Sequence, residues 1–186
     1  MRKIVLLMHT SLDGFVAGPQ GQMDWIIAGD EMFDIAGERT DEADTALYGR
    51  VTYDMMEGYW PTAGDQPNAT KHSIHHSAWY NKVEKVVVSK TLQDDQRKKR
   101  KVLNSPEEIS LLKHKEGKDI LIIGSPSVVR ALIKENLVDD YWLFVNPIIV
   151  GTGIPLFDKM DSKINLKLES SKVLSSGVVC LHYSKK

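Results

Sequence analysis

Three short segments of this 186-residue chain carry the residue types from which a phosphate-binding edge is built. They are Tyr48-Gly49-Arg50-Val51-Thr52, Ser89-Lys90-Thr91 and Gly124-Ser125-Pro126-Ser127. Each follows an apolar run of strand character. Each offers small residues, backbone N–H groups and hydroxyls. The first and third also open helix-like stretches, whose N-termini favour anionic oxygens. Arg50 and Lys90 add positive charge, and the Arg guanidinium is a planar fork that fits phosphate. If the three strands lie parallel, their carboxyl ends share one edge, where ligands of α/β sheets bind. The combination suits a long, multiply charged ligand such as a phosphorylated dinucleotide. Neither G-x-G-x-x-G after a strand nor G-x-x-x-x-G-K-[ST] occurs, which argues against a standard Rossmann fingerprint and a Walker A triphosphatase.

Asp13 and Asp24 are the polar candidates for work on a substrate, with Trp25 as an aromatic wall. Each also has a structural role open to it. Asp13 beside Gly14 suits an Asx turn, Asp24 suits the cap of a helix-like stretch, and Trp25 suits a core. Gly151-Thr152-Gly153 with Phe157 forms either a wall of the substrate site or a bend between strands. His72, His75 and His76 share a helix face. Without H-E-x-x-H or a carboxylate on that helix, they read as a solvated polar face, and no metal is expected. Asp30, Asp34 and Asp41 likewise read as a solvated stripe. The basic run Arg97-Lys98-Lys99-Arg100-Lys101 has no aromatic interleaving. It reads as a solvated loop that adds positive field near the edge.

These residues need a scaffold, and composition bounds it. Lys and Arg number 24 against 25 Asp and Glu, so no global field draws in nucleic acid or an anionic membrane. Cys180 is the only cysteine. It permits neither an intrachain disulfide nor a cysteine-ligated zinc, fits a reducing cytoplasmic setting and reads as buried packing. The apolar run at 4–8 is too short for a signal peptide or a membrane span. It reads as a buried strand. Further strands are expected at 46–48, 85–89, 120–123, 141–145, 166–173 and 178–183. Helices are expected at 32–43, 51–57, 68–81, 105–115 and 125–135. Strand and helix alternate to about residue 135, which implies parallel pairing through right-handed crossovers. The remaining strands imply an antiparallel addition. The expected fold is one α/β domain over 1–186, with a mixed, mostly parallel sheet of about eight strands. Helices would cover both faces, and an antiparallel hairpin would end the chain.

The ordered set of segments resembles the dihydrofolate reductase-like superfamily. Within it, the chain is most similar to the C-terminal reductase domain of the bifunctional riboflavin-biosynthesis deaminase-reductase and its stand-alone relatives. The segments are Ser11-Leu12-Asp13-Gly14-Phe15-Val16-Ala17-Gly18, Asp24-Trp25, the three turns above, Tyr59-Trp60-Pro61, Leu137-Val138-Asp139-Asp140 and the stretch 146–157. The resemblance implies NADPH as cofactor and a two-electron reduction, such as that of 5-amino-6-(5-phosphoribosylamino)uracil. It implies that Val16 and Ala17 lie against the nicotinamide and its ribose. Gly49, Arg50 and Thr52 would serve the phosphates, and Ser89, Lys90 and Thr91 the 2′-phosphate. Gly124 and Ser125 would hold the pyrophosphate, although the family often has a second Gly where Ser125 stands. A homodimer is also implied. A dihydrofolate or pterin reductase and a non-catalytic nucleotide-binding module are the alternatives. The acid that binds a pterin ring is not clearly present, and the zinc motif of a deaminase is absent.

Overall fold

The computed structural model describes residues 1–157 and 163–186. In chain order its elements are β1 (Ile4–Ser11), β2 (Phe15–Ala17), α1 (Asp30–Asp41), β3 (Ala43–Gly49), α2 (Arg50–Glu57) and α3 (Trp60–Ala63). There follow α4 (Lys71–Lys82), β4 (Glu84–Val88), β5 (Arg100–Leu103), α5 (Pro106–Lys113), β6 (Asp119–Ile123) and α6 (Pro126–Lys134). The chain continues through β7 (Asp140–Asn146), β8 (Ile154–Pro155), β9 (Leu166–Val173) and β10 (Val179–Lys185). Eight strands form one sheet in the order β5-β4-β3-β6-β1-β7-β10-β9. Pairing is parallel from β5 through β7 and antiparallel for β7-β10-β9. β2 and β8 form a separate two-stranded ribbon. This is the expected mixed α/β sheet with its C-terminal hairpin.

Alternation along the inner strands divides the core between the two faces. Ile4, Leu6, Leu47, Val86, Ile120 and Ile122 point to one face, where α5 and α6 cover them with Ile109, Leu112, Val129 and Leu132. Val5, Leu7, Leu121 and Phe144 point to the other, under Met32 and Ile35 of α1. On that same side, toward β4, Tyr48 and Val87 pack with Tyr53 of α2 and Tyr80 of α4. Burial on both faces explains why these strands read as continuous apolar runs. Cys180 is buried in β10, and burial pushes its thiol up to about 11.

Several expected boundaries move. α1 starts at Asp30 and stops at Asp41, so Ala43 opens β3 instead of closing the helix. Ala43 pairs with Asp119, and its carbonyl accepts from Trp79 Nε1, which holds it extended. The helix-like stretch after Asp24 is a turn, and Gly29 is the N-cap of α1, so Asp24 caps nothing. The basic run is no free loop. Arg100 and Lys101 begin β5, Lys98 pairs with Glu57 at 3.1 Å, and Arg100 lies over the Tyr53 ring. Arg100 faces Lys85, near the amino end of β4 and a strand's length from Ser89, so the run adds no field at the carboxyl edge.

A buried ion pair fixes the opposite, amino edge of the sheet. The Lys113 ammonium, 5% exposed, donates to Asp139 at 2.6 Å and to the Leu137 carbonyl at 3.0 Å. The same Asp139 oxygen accepts from the Ile4 N–H at 2.8 Å. One carboxylate thus joins α5, β1 and the start of β7. Asp139→Ala leaves the Lys113 charge buried without its partner, which costs about 3–5 kcal/mol. The expected outcome is a urea midpoint lowered accordingly.

Candidate functional site

β4, β3 and β6 are adjacent, so their carboxyl-end turns stand side by side across about 10 Å. The tightest contact joins β3 to α6. Gly49 N–H donates to Ser125 Oγ at 2.7 Å, and both residues are buried. Gly124 and Ser125 have φ of 74° and 62°, left-handed conformations that a side chain resists. A Cβ on Gly124 would stand 3.1 Å from Thr52 Cγ2, and one on Gly49 would stand 3.2 Å from Val128 Cγ2. The turns therefore close on one another because both positions lack side chains. Ser125 keeps its hydroxyl hydrogen to donate, whereas the Gly49 N–H is already used.

Around this cradle the cations stand outward. Arg50 is exposed and pairs with Asp54 at 3.1 Å, one turn along α2. Lys90 is exposed. Ser89 Oγ accepts from the N–H groups of Thr91 and Leu92 at 3.2 Å, closing its own turn. Val16 and Ala17 are buried in β2, and Ala17 lies so close to Gly153 that a Cβ there would come within 2.2 Å of its carbonyl oxygen. The edge thus presents two cations, two helix N-termini and side-chain-free backbone. These residues fit a phosphorylated dinucleotide such as NADPH.

Beside the edge lies a cavity of about 170 Å³. Leu7 and His9 of β1, Ile123 of β6 and Phe144 of β7 form its floor. Met32, Phe33 and Ala36 of α1 form one wall, while Trp60, His72 and His76 form the other. Met56 also lines it, one helical turn beyond Thr52. α2 therefore runs from the cradle to the cavity. Aromatic rings pair around the space, with His9 on Phe144 at 5.0 Å, Phe33 on His72 at 5.3 Å and Trp60 on His76 at 4.0 Å. Burial lowers His9 and His76 to about 4, so both rings are neutral near pH 7. His9 Nδ1 and His76 Nε2 are buried with no hydrogen-bond partner among the described residues, whereas His72 Nε2 faces the Asp30 carboxylate.

A more open depression continues outward between α1 and α4, sharing Phe33, Gly37, His72 and His75 with the cavity. Here Asp34, Glu38 and Asp41 stand against Lys71. His75 bonds Asp41 at 2.9 Å, and His72 comes within 3.2 Å of Asp30. The histidine face expected to be solvated is thus the α4 side of a helix interface, and the acidic stripe of α1 supplies its partners. Among the described residues no group of three or more His, Cys, Asp or Glu is placed to hold a metal ion.

Asp13, Asp24 and Trp25 do not line the cavity. Asp13 is a latch. Its carboxylate accepts from Ser11 Oγ at 2.6 Å and from the N–H groups of Val150 and Gly151 at 3.1 and 2.8 Å. The Ser11 bond first, then the two backbone bonds, hold it down at about 2. An acid so low is ionised at neutral pH and has no proton to give. The latch also makes Gly151 an anchored bend. Asp24 is exposed, and Trp25 is half-buried in the 18–29 segment, with its Nε1 unpartnered. Of the residues that build the cavity, His9, Phe33 and Met56 were not singled out, and His76 and Trp60 were not assigned to it. Their signal was polar or aromatic residues set into apolar runs, such as His9 at the end of the first strand.

The RibD C-terminal domain family matches residues 2–180. The chain is 34% identical over 186 residues to the uncharacterized protein YyaP of Bacillus subtilis (strain 168), covering 98% of this chain and 94% of that protein. Its fold is similar to that of a putative riboflavin biosynthesis protein from Shewanella sp. PV-4, with a TM-score of 0.74 and 24% identity over 100% of this chain and 99% of that one. It is also similar in fold to dihydrofolate reductase from Enterococcus faecalis complexed with NADP(H). There the TM-score is 0.65 and the identity 15%, over 99% and 96% of the two chains.

The buried histidines set a pH dependence. His76 has an ordinary value of 6.5 and is lowered to about 4 in the folded chain. Its stabilising neutral form is fully present above 6.5. Between 6.5 and about 4 the unfolded chain binds a proton that the folded chain does not, so stability falls with pH. His76→Phe keeps the stack on Trp60 and removes the proton site. The expected result is a shallower loss of urea resistance from pH 6.5 down to about 4 than in the parent.

Proposed function

Because this chain belongs to the RibD C-terminal domain family, we propose that it is an NADPH-dependent reductase of a small heterocyclic compound. The reaction would be similar in class to that of 5-amino-6-(5-phosphoribosylamino)uracil reductase. The observation that carries the reading is the adjacency of the cradle and the cavity, bridged by α2 with Thr52 at one and Met56 in the other. A cofactor stretched over the three turns ends beside an apolar space of ring size.

When bound, NADPH supplies the hydride. The chain supplies position. Arg50, Thr52 and the N-termini of α2 and α6 hold phosphate oxygens. Gly49, Gly124 and Ser125 keep the backbone close, and the Ser125 hydroxyl donates. Ser89, Lys90 and Thr91 meet the 2′-phosphate. Val16 and Ala17 shape the nicotinamide end. The cavity walls would hold a flat ring by stacking, with the carbon to be reduced turned toward the nicotinamide end. His9, on the floor near the end of β1, hydrogen-bonds the group that is reduced. Because the His9 ring is neutral, the proton that completes the reduction comes from water rather than from a stored imidazolium.

No carboxylate lines the cavity among the described residues, so the acid that would pair with a pterin ring is not among its lining groups. The proposal extends to a single domain over 1–186, acting in the cytoplasm as a homodimer. β9 supports the dimer: it is a sheet edge with Val173 73% exposed and Leu168 51% exposed, apolar groups that a second copy would cover.

Titration of tryptophan fluorescence with NADPH tests the reading, since Trp60 stands in the cavity wall. Saturable quenching is expected, and no binding at about 1 mM, the upper end of ordinary substrate constants, rejects it. Lys90→Ala should weaken NADPH by roughly tenfold, the worth of one charge-assisted contact, and leave NADH unchanged. Equal losses for the two cofactors would remove Lys90 from the 2′-phosphate.

A further inference from the structure

We propose that the cavity selects a planar aromatic heterocycle that carries no phosphate group. The inference rests on the reductase reading for the fate of that ring, but its geometry is independent of it.

Size comes first. About 170 Å³ is well below the roughly 300–1,000 Å³ of pockets for drug-sized ligands, so one or two fused rings fill it. Shape comes second. Phe33, Trp60 and Phe144, each paired with a histidine, line the space with aromatic rings. A flat occupant makes more contact with such rings than a bent or branched one.

Charge decides the rest. Among the described residues no Lys or Arg lines the cavity. The polar atoms that need partners are the buried nitrogens of His9 and His76. A neutral imidazole offers one donor and one acceptor, which matches the N–H and C=O edge of a heterocycle. A phosphate would bring two negative charges with no cation to receive them, and burying unpaired charge is costly. The way out gives no relief. In the outer depression Asp34, Glu38 and Asp41 outnumber Lys71, and Lys71 already lies 3.6 Å from Asp34. A phosphorylated tail projecting there meets like charge. The cations of the carboxyl edge, Arg50 and Lys90, are the ones the cofactor uses.

The test is a matched pair of probes, 5-amino-6-ribosylaminouracil and its 5′-phosphate, titrated against the full chain by calorimetry, with and without saturating NADPH. The expected result is tighter binding of the phosphate-free compound by about tenfold or more. Equal or tighter binding of the phosphate, or binding of neither compound, overturns the proposal. Asp34→Lys and Asp41→Lys sit on exposed helix positions and reverse the charge at the mouth. Together they should narrow the difference between the two probes, and an unchanged difference overturns the electrostatic argument. The two readings fail separately. If NADPH does not bind while the phosphate-free ring does, the reductase reading falls and the cavity assignment stands. If NADPH is oxidised with the phosphate preferred, the reductase reading stands and this inference falls.

Discussion

The hydrogen bond from the Gly49 N–H to Ser125 Oγ holds the site together. It spans 76 positions of sequence and ties the end of β3 to the start of α6. Parallel pairing brings strand ends to the same edge, but it does not set how closely the turns beyond them approach. That approach is set by this bond and by the absence of side chains at Gly49 and Gly124. Ser125 supplies the acceptor while held in a left-handed conformation, a strain of about 1–2 kcal/mol. A glycine there would relieve the strain, but the buried N–H of Gly49 would then have no acceptor. The departure from the family's common second Gly is thus compensated within the same turn.

The molecule separates two kinds of chemistry on either side of α2. The cradle has exposed cations around buried hydroxyls, which suits a ligand of high negative charge. The cavity has neutral rings and methyl groups, with carboxylates beyond its mouth. The two zones thus differ in electrostatic sign. The two zones share the helix that carries Thr52 and Met56, so a shift of α2 moves both together. The sheet floor beneath them is buried on both faces and pinned at its far edge by Lys113 and Asp139, so the floor itself stays rigid.

The fold was legible because it rests on local signals. Apolar β-branched runs marked the inner strands. The Ser-Pro-Glu-Glu start marked α5, whose Ser105 side chain does accept from Glu108 N–H. β5 was hidden because it is an edge strand of charged residues, partly turned to solvent, with no apolar alternation. β2 and β8 were hidden because they are too short to show any period. The cradle was legible in outline, since its residues lie contiguously in three turns. The cavity was not. Its walls come from β1, α1, α2 to α4, β6 and β7, each contributing one to four residues. The carboxylates that meet His72 and His75 lie on another helix, so no spacing along α4 could reveal them. Asp13 was misleading because a carboxylate in a Gly turn has the same local sequence whether it holds a loop or a substrate.

The position of β6 has a consequence for how the chain is made. β6 lies between β1 and β3, yet it is synthesised after both, and Lys3 meets Asp119 across 116 positions. Until residue 123 emerges from the ribosome, the first and third strands have no inner neighbour, and their inner edges wait unpaired. Such late, non-local closure makes folding slow and leaves strand edges open to wrong partners. The cradle does not exist during that interval, because Ser125 follows the missing strand. The proposed dinucleotide would therefore have nothing to grip until the sheet is complete, so it would reward the finished molecule without guiding the nascent one.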